Sequence, residues 1–215
     1  MDFLGSIIDT LSTRRSWFLG LFIDHVRLTM TAILIAGTLG LLIGLTISEK
    51  RRAAPAVIGI CNVFYTIPAI SLLGFLIPFL GIGNKTAITA LSIYAVMPMV
   101  RNTYTGITSI DPDIIEAARG MGSTNIQILT RVKMPLAFSA ILSGLRQMTV
   151  MTISMGGIAS FVGAGGLGVA IFRGITVYNP SLVFAGGMLI AVMAVLSDNL
   201  LGLLERFYKK KRRMI

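Results

Sequence analysis

The sequence predicts an all-α polytopic membrane protein of about five transmembrane helices, on three observations. Hydrophobic residues make up 54% of the 215 positions and charged residues only 13%, against about a quarter charged in soluble domains. Mean hydropathy is +0.83. Charge-free apolar stretches also recur along the chain, and a bilayer core of about 30 Å needs roughly 20 apolar residues per helix. The lone Cys61 and lone His25 exclude an internal disulfide and a Cys/His zinc cluster, so no metal site is expected.

The elements follow in chain order. Residues 3–23 carry Asp9, Arg14 and Arg15, then Trp17, Phe18, Leu19, Leu21 and Phe22. This reads as an amphipathic helix at the interface, making 1–24 an interfacial segment. A small-residue cleavage site is not evident, which argues against a secretory signal. His25, at the outer end of the first span, reads as an interfacial residue. Residues 28–47 form the first span, closed by Glu49, Lys50, Arg51 and Arg52. A second runs over about 57–80, where Pro68 and Pro78 are placed to kink it. A third opens at Thr86 and must continue past Arg101 toward Tyr104. A fourth covers 136–160, broken only by Arg146, and a fifth opens at 174 and ends near Glu205. The membrane domain is then 25–207, followed by a basic tail, 208–215.

Basic residues orient these spans. Lys50, Arg51, Arg52, Arg101, Arg119, Arg131, Lys133, Arg146, Arg206, Lys209, Lys210, Lys211, Arg212 and Arg213 fall on one side, 14 of the 19. Arg14, Arg15, Arg27, Lys85 and Arg173 fall on the other. The reading is a multi-pass plasma-membrane protein with its N-terminus outside and its C-terminus cytoplasmic. The net charge of +10 is therefore chiefly an orientation signal. It is spread over membrane-hugging loops and a tail able to touch anionic lipid, which excludes nucleic acid as the partner.

The long polar interruption, 109–135, reads as two helices on the cytoplasmic face. Asp111-Pro112-Asp113 is a helix start, with an Asp cap and Pro at the first helical position. The first helix covers 114–121 and Gly122 stops it. Thr124 with Gln127 is a capping box opening a second helix, 126–133, and Pro135 marks entry to the fourth span.

Glu116-Ala117-Ala118, three residues, Gly122, nine residues, then Val132-Lys133-Met134-Pro135 resembles the EAA loop of ABC importer permeases. Val132 and Met134 depart from that pattern and keep its apolar character. The resemblance implies the type I importer permease fold, with a coupling helix docked on a cytoplasmic ATPase subunit. Glu116 would make a polar contact there, Ala117 and Ala118 would pack closely, and Gly122 would allow the turn. ATP and Mg would belong to that partner, leaving this chain without a cofactor or catalytic residues. Residues 62–69, 101–106 and 161–168 resemble the osmoprotectant branch, which imports glycine betaine, carnitine, choline and related quaternary amines. That branch implies an extracytoplasmic binding protein and a second permease chain, identical or related.

Gly163-x-Gly165-x-x-Gly168 matches the dinucleotide-binding pattern letter for letter. No strand precedes it and no acid lies about 20 residues on, so that reading fails. With Phe161 and Gly166 it reads instead as an outer gate within 161–178, a plain flexible loop being the alternative. Gly83-Asn84-Lys85-Thr86 lacks the glycines of a phosphate loop, so no ATPase site is expected. Arg146 and Asp198 are ionisable groups inside apolar spans and are expected to pair. Tyr65, Thr66, Pro68, Ser71, Tyr94 and Asn102 are candidate pathway-lining residues, interhelical hydrogen bonding being the alternative. For function, an amino-acid or other small-zwitterion permease stands as the alternative substrate class. A secondary transporter is the other mechanism, for which Asp198 is the one intramembrane carboxylate available.

Overall fold

The computed structural model describes residues 3–211; Met1, Asp2 and the tail residues Arg212 and Arg213 lie outside the described residues. Helix α1, Phe3–Thr13, ends at a break on Arg14, and α2 then runs from Arg15 to Glu49 without interruption. The expected interfacial segment is therefore divided. Trp17 to Phe22 belong to α2, because neither proline nor a glycine pair separates them from the apolar run. His25, expected at the interface, is fully buried. Helix α1 docks on the start of the last helix, through a Ser6–Ser181 hydroxyl contact at 2.8 Å and an edge-on Phe3–Phe184 pair.

The second span is two helices, α3 (Ala54–Thr66) and α4 (Ala69–Leu80), bent by 96°. Proline disfavours helical backbone in the residue before it. Ile67 and Pro68 are accordingly both extended, with ψ of 129° and 133°, so the helix expected over 57–80 stops and restarts. The carbonyl freed at Ile67 accepts a hydrogen bond from the Tyr94 hydroxyl.

Helix α5, Asn84–Thr108, is the core of the bundle. It holds Arg101 and Asn102 and is less apolar than the other spans, yet Ala87, Ala95, Val100 and Thr103 on it are almost fully buried. By length and apolarity α2, the segment Asn125–Val162, the last helix and the bent pair can cross a membrane. At 25 residues α5 is about 37 Å long, the fifth membrane-length segment.

Glycines bring its neighbours close. A Cβ on Gly40 would lie 2.6 Å from Met99 Cβ, and one on Gly44 2.6 Å from Thr103 Cβ. On the opposite flank, Gly106 faces Ala140 and Gly144 faces Asn102 at similar distances.

Helix α6 covers Pro112–Gly120. The short α7, Asn125–Gln127, passes through a π-helical stretch, Ile128–Lys133, directly into α8, Met134–Met155. The second loop helix is thus continuous with the fourth span, where a separate helix ending before Pro135 was expected. A proline inside an α-helix lacks its N–H and clashes with the carbonyl four residues back. Here the turn widens, with Met134 N–H bonding to Leu129 O. A 3-10 stretch, Gly156–Val162, prolongs α8.

Helix α9, Gly168–Thr176, occupies much of the expected outer loop, and α10 runs Pro180–Lys211. The fifth span therefore begins at Pro180 rather than 174. Asn179 caps it, its Oδ1 accepting from Leu182 N–H at 3.1 Å, with Pro180 at the first helical position.

Introducing a side chain at the closest approach should be costly. Gly44→Val is expected to destabilise the solubilised protein by about 1–3 kcal/mol through overpacking, read as a lower thermal midpoint. Gly187→Ala, whose Cβ meets nothing within 4 Å, should leave the midpoint unchanged.

Candidate functional site

Three clusters lie along the bundle. At one end, Asp111 Oδ1 accepts from Asp113 N–H at 3.0 Å and caps α6. Gly122, at φ 82°, turns the chain. Thr124 and Gln127 form a reciprocal capping box. These contacts fix the start of each helix and the turn between them, and α6 packs against the π-helical stretch that follows α7. Ala118 is buried, whereas Glu116 and Ala117 face outward. Ile114, Met121 and Ile126 are exposed beside them, Met121 by 80%. Ala118 is thus covered within this chain, while Ala117 is open. Lys133 ties the π-helical stretch to Glu49 at 2.5 Å.

At the other end, the glycine-rich segment is pinned by backbone hydrogen bonds. Gly83 N–H donates to Val162 O at 2.7 Å, and Gly165 N–H to Asn84 Oδ1 at 3.2 Å. His25 bridges two chain segments: Leu167 N–H donates to Nδ1 at 3.2 Å, and Nε2 lies 3.0 Å from Ile153 O. An amide N–H on Nδ1 requires a lone pair there, so Nε2 carries the proton and donates to the carbonyl. The glycines match this close packing. Gly163 and Gly166 have φ of 72° and 97°, a Cβ on Gly166 would meet His25, and Gly168 lies directly on the Gly157 carbonyl. Phe161 is half exposed and packs edge-on against Phe172 at 5.1 Å. The segment is a clamped cap.

Between the ends, Arg146 Nε and Nη2 donate to both oxygens of Asp198 at 3.0 and 2.9 Å. Nη1 donates to Glu205 Oε2 at 2.9 Å. Glu205 Oε1 accepts in turn from Ser139 and Lys209. Sequence reasoning missed Glu205 as a partner; its spacing of seven residues from Asp198, two helical turns, was the available signal. Two cations and two carboxylates compensate one another, which makes charge inside a span tolerable.

Beside this cluster lies an open groove of about 610 Å³ between α3, α8 and α10, lined in part by Arg146 and Asp198. Of the six residues named as pathway candidates, Tyr65 lines it. Asn102 stands behind, its amide donating to Gln147 Oε1 at 3.3 Å. Tyr94 is buried against Tyr65, with ring centres 6.2 Å apart. Thr66 and Pro68 sit at the bend. Among the described residues, no three His, Cys, Asp or Glu side chains could hold a metal ion.

Residues 36–210 match the profile of the binding-protein-dependent transport system inner membrane component. The chain belongs to that family. It is accordingly a multi-pass protein of the plasma membrane. A carnitine transport permease protein of Listeria monocytogenes is 39% identical over 207 residues, covering 96% of this chain and 93% of its own length. A choline transport system permease protein of Bacillus subtilis is 34% identical, covering 93% and 92%. An ergothioneine transport permease/binding protein of Helicobacter pylori is 37% identical over 77% of this chain and 30% of its own length. Among solved structures, an inward-facing methionine ABC transporter superposes with a TM-score of 0.75 at 25% identity, over 89% of this chain and 96% of that one. An amino acid ABC transporter gives 0.75 at 24%, over 96% and 98%, a likeness of fold. These permeases share the helical architecture of a type I importer.

Two outcomes are expected. His25→Phe keeps a ring but strands Leu167 N–H and Ile153 O, costing about 2–4 kcal/mol and speeding hydrogen exchange at Leu167. Reversing the central pair, Arg146→Asp with Asp198→Arg, should not restore a stability lost in the single variants. It sets a new carboxylate against Glu205, and adding Glu205→Gln should recover part of the thermal midpoint.

Proposed function

We propose that this chain is the translocation subunit of an importer for small quaternary-amine osmoprotectants such as glycine betaine, carnitine or choline. The observation that carries this reading is identity of 34–39% over most of the chain to permeases named for carnitine and choline. Those solutes share a trimethylammonium head.

An extracytoplasmic binding protein delivers the solute, and two ATPase subunits supply the energy, with ATP and Mg bound there. This chain has no ATPase site of its own. The α6–α7 pair faces the cytoplasm and docks on an ATPase subunit, with the exposed apolar face of Ile114, Met121 and Ile126 against it and Glu116 making the polar contact. Because α7 is continuous with α8, rotation of the docked pair reaches the bundle without passing through a loose joint. The clamped segment from Phe161 to Gly168 forms the outer gate. Five segments enclose no pathway alone, so a second permease chain completes it. The C-terminus is cytoplasmic and the N-terminus outside, in line with the side that holds most of the basic residues.

The test is uptake by proteoliposomes containing the permease, its ATPase and its binding protein. ATP-dependent accumulation of radiolabelled glycine betaine, carnitine or choline is expected. Accumulation of amino acids alone would replace the substrate class, and uptake driven by an ion gradient without ATP would overturn the mechanism. Glu116→Lys should lower uptake about tenfold or more, as loss of an interfacial charge contact does. ATPase co-purification should fall with it while helical content stays unchanged.

A further inference from the structure

We propose that the groove between α3, α8 and α10 is a transient binding site inside the membrane for a small quaternary-ammonium solute. Its cationic head lies against Tyr65, and its polar tail lies toward Gln147, Asn199 and Arg146. The proposal rests on the substrate class inferred above and adds the place in this chain where that chemistry is recognised.

The groove wall is layered. On α8, Arg146 and Gln147 line it at one level, and Val150 and Met151 line it one turn further from the α6–α7 end. On α10, which runs the opposite way, Asp198 and Asn199 share the first level, and Ala194 and Val195 the second. Four residues separate the levels on each helix, about 6 Å. A polar layer thus faces an apolar layer across a span comparable to a small betaine or choline. The groove, about 610 Å³, is roomy enough for a small molecule and is open on the side where Tyr65 and Val195 are exposed.

Each layer fits one end of such a solute. A trimethylammonium group spreads its charge over methyl groups and donates no strong hydrogen bond. It is therefore recognised by aromatic faces and apolar walls rather than by a tight ion pair. Tyr65 supplies the aromatic ring, 44% exposed and steadied by its hydroxyl on Met151 Sδ at 3.6 Å. The tail, a hydroxyl or a carboxylate, needs donors. Asn102 holds Gln147 by its oxygen, which leaves the Gln147 NH₂ free to turn into the groove. Arg146 spends three of its five N–H donors on Asp198 and Glu205, so two remain. The cation cluster cannot simply capture the solute, because Asp198 and Glu205 already compensate Arg146. Binding is correspondingly weak, as passage requires.

The test uses the intact permease–ATPase complex without its binding protein, with radiolabelled glycine betaine and choline in equilibrium dialysis. Saturable binding is expected. Tyr65→Ala should weaken it about tenfold, the scale of a cation–π contact freed from water, and Tyr65→Phe less than threefold. Gln147→Ala should weaken glycine betaine more than choline. Val195→Trp, which fills the groove from the opposite wall without removing a contact, should abolish binding. 3,3-Dimethylbutanol, the uncharged carbon analogue of choline, should compete at least tenfold more weakly than choline itself. Stimulation of ATP hydrolysis by loaded binding protein reports assembly of each variant.

Absence of saturable binding in a complex that transports these solutes would overturn the proposal. So would binding indifferent to both Tyr65→Ala and Val195→Trp, or equal competition by the uncharged analogue. A wild-type complex that transports none of these solutes would instead overturn the substrate class proposed above.

Discussion

The fold depends on how closely α2 and α8 approach α5. In a bilayer there is little hydrophobic gain from bringing helices together, so association relies on close packing and interhelical hydrogen bonds. Gly40 and Gly44 remove side chains on one flank of α5, and Gly106 and Gly144 do so on the other. The consequence is a central helix on which Thr86, Ser92, Tyr94 and Thr103 are buried among its neighbours. Asn102 and Tyr94 can then be spent on Gln147 and on the Ile67 carbonyl. The groove and the broken span are both positioned from this helix.

The two ends of the bundle are built by opposite means. The α6–α7 loop is capped at both helix starts and leaves Ile114, Met121 and Ile126 exposed. The glycine-rich segment is held by hydrogen bonds from its backbone N–H groups to the His25 and Asn84 side chains and by burial of Val162, Ala164 and Leu167 in the core. His25 is central to it because one neutral ring serves a donor and an acceptor from different parts of the chain.

Much of this was legible in the sequence, for physical reasons that also mark the limits. The spans around α2, α8 and α10 show as apolar runs, and the capping residues Asp111, Thr124 and Gln127 act through neighbours a few positions away, which local pattern captures. Arg146 and Asp198 stand out as isolated charges in apolar stretches. Continuity through Pro135 was not legible, because proline ordinarily marks a helix start and a π-helical turn leaves no compositional trace. The partners of His25 are backbone atoms, which carry no residue identity, so nothing marked it as buried. The junction of α9 and α10 was misplaced because Gly174 reads as apolar run, while Asn179 and Pro180 hold the real start. Glu205 was read as the end of a span when its spacing from Asp198 puts it on the same face.

The break after Thr66 has an electrostatic consequence. A helix that stops within the membrane leaves the negative end of its dipole there, and Tyr65 stands in the last turn of α3. The backbone therefore contributes a fixed partial negative charge beside the aromatic ring. Unlike a carboxylate, that charge cannot be neutralised by a proton or cancelled by a neighbouring arginine. It persists at every pH at which the helix is folded, and it belongs to the chain's geometry rather than to any one side chain.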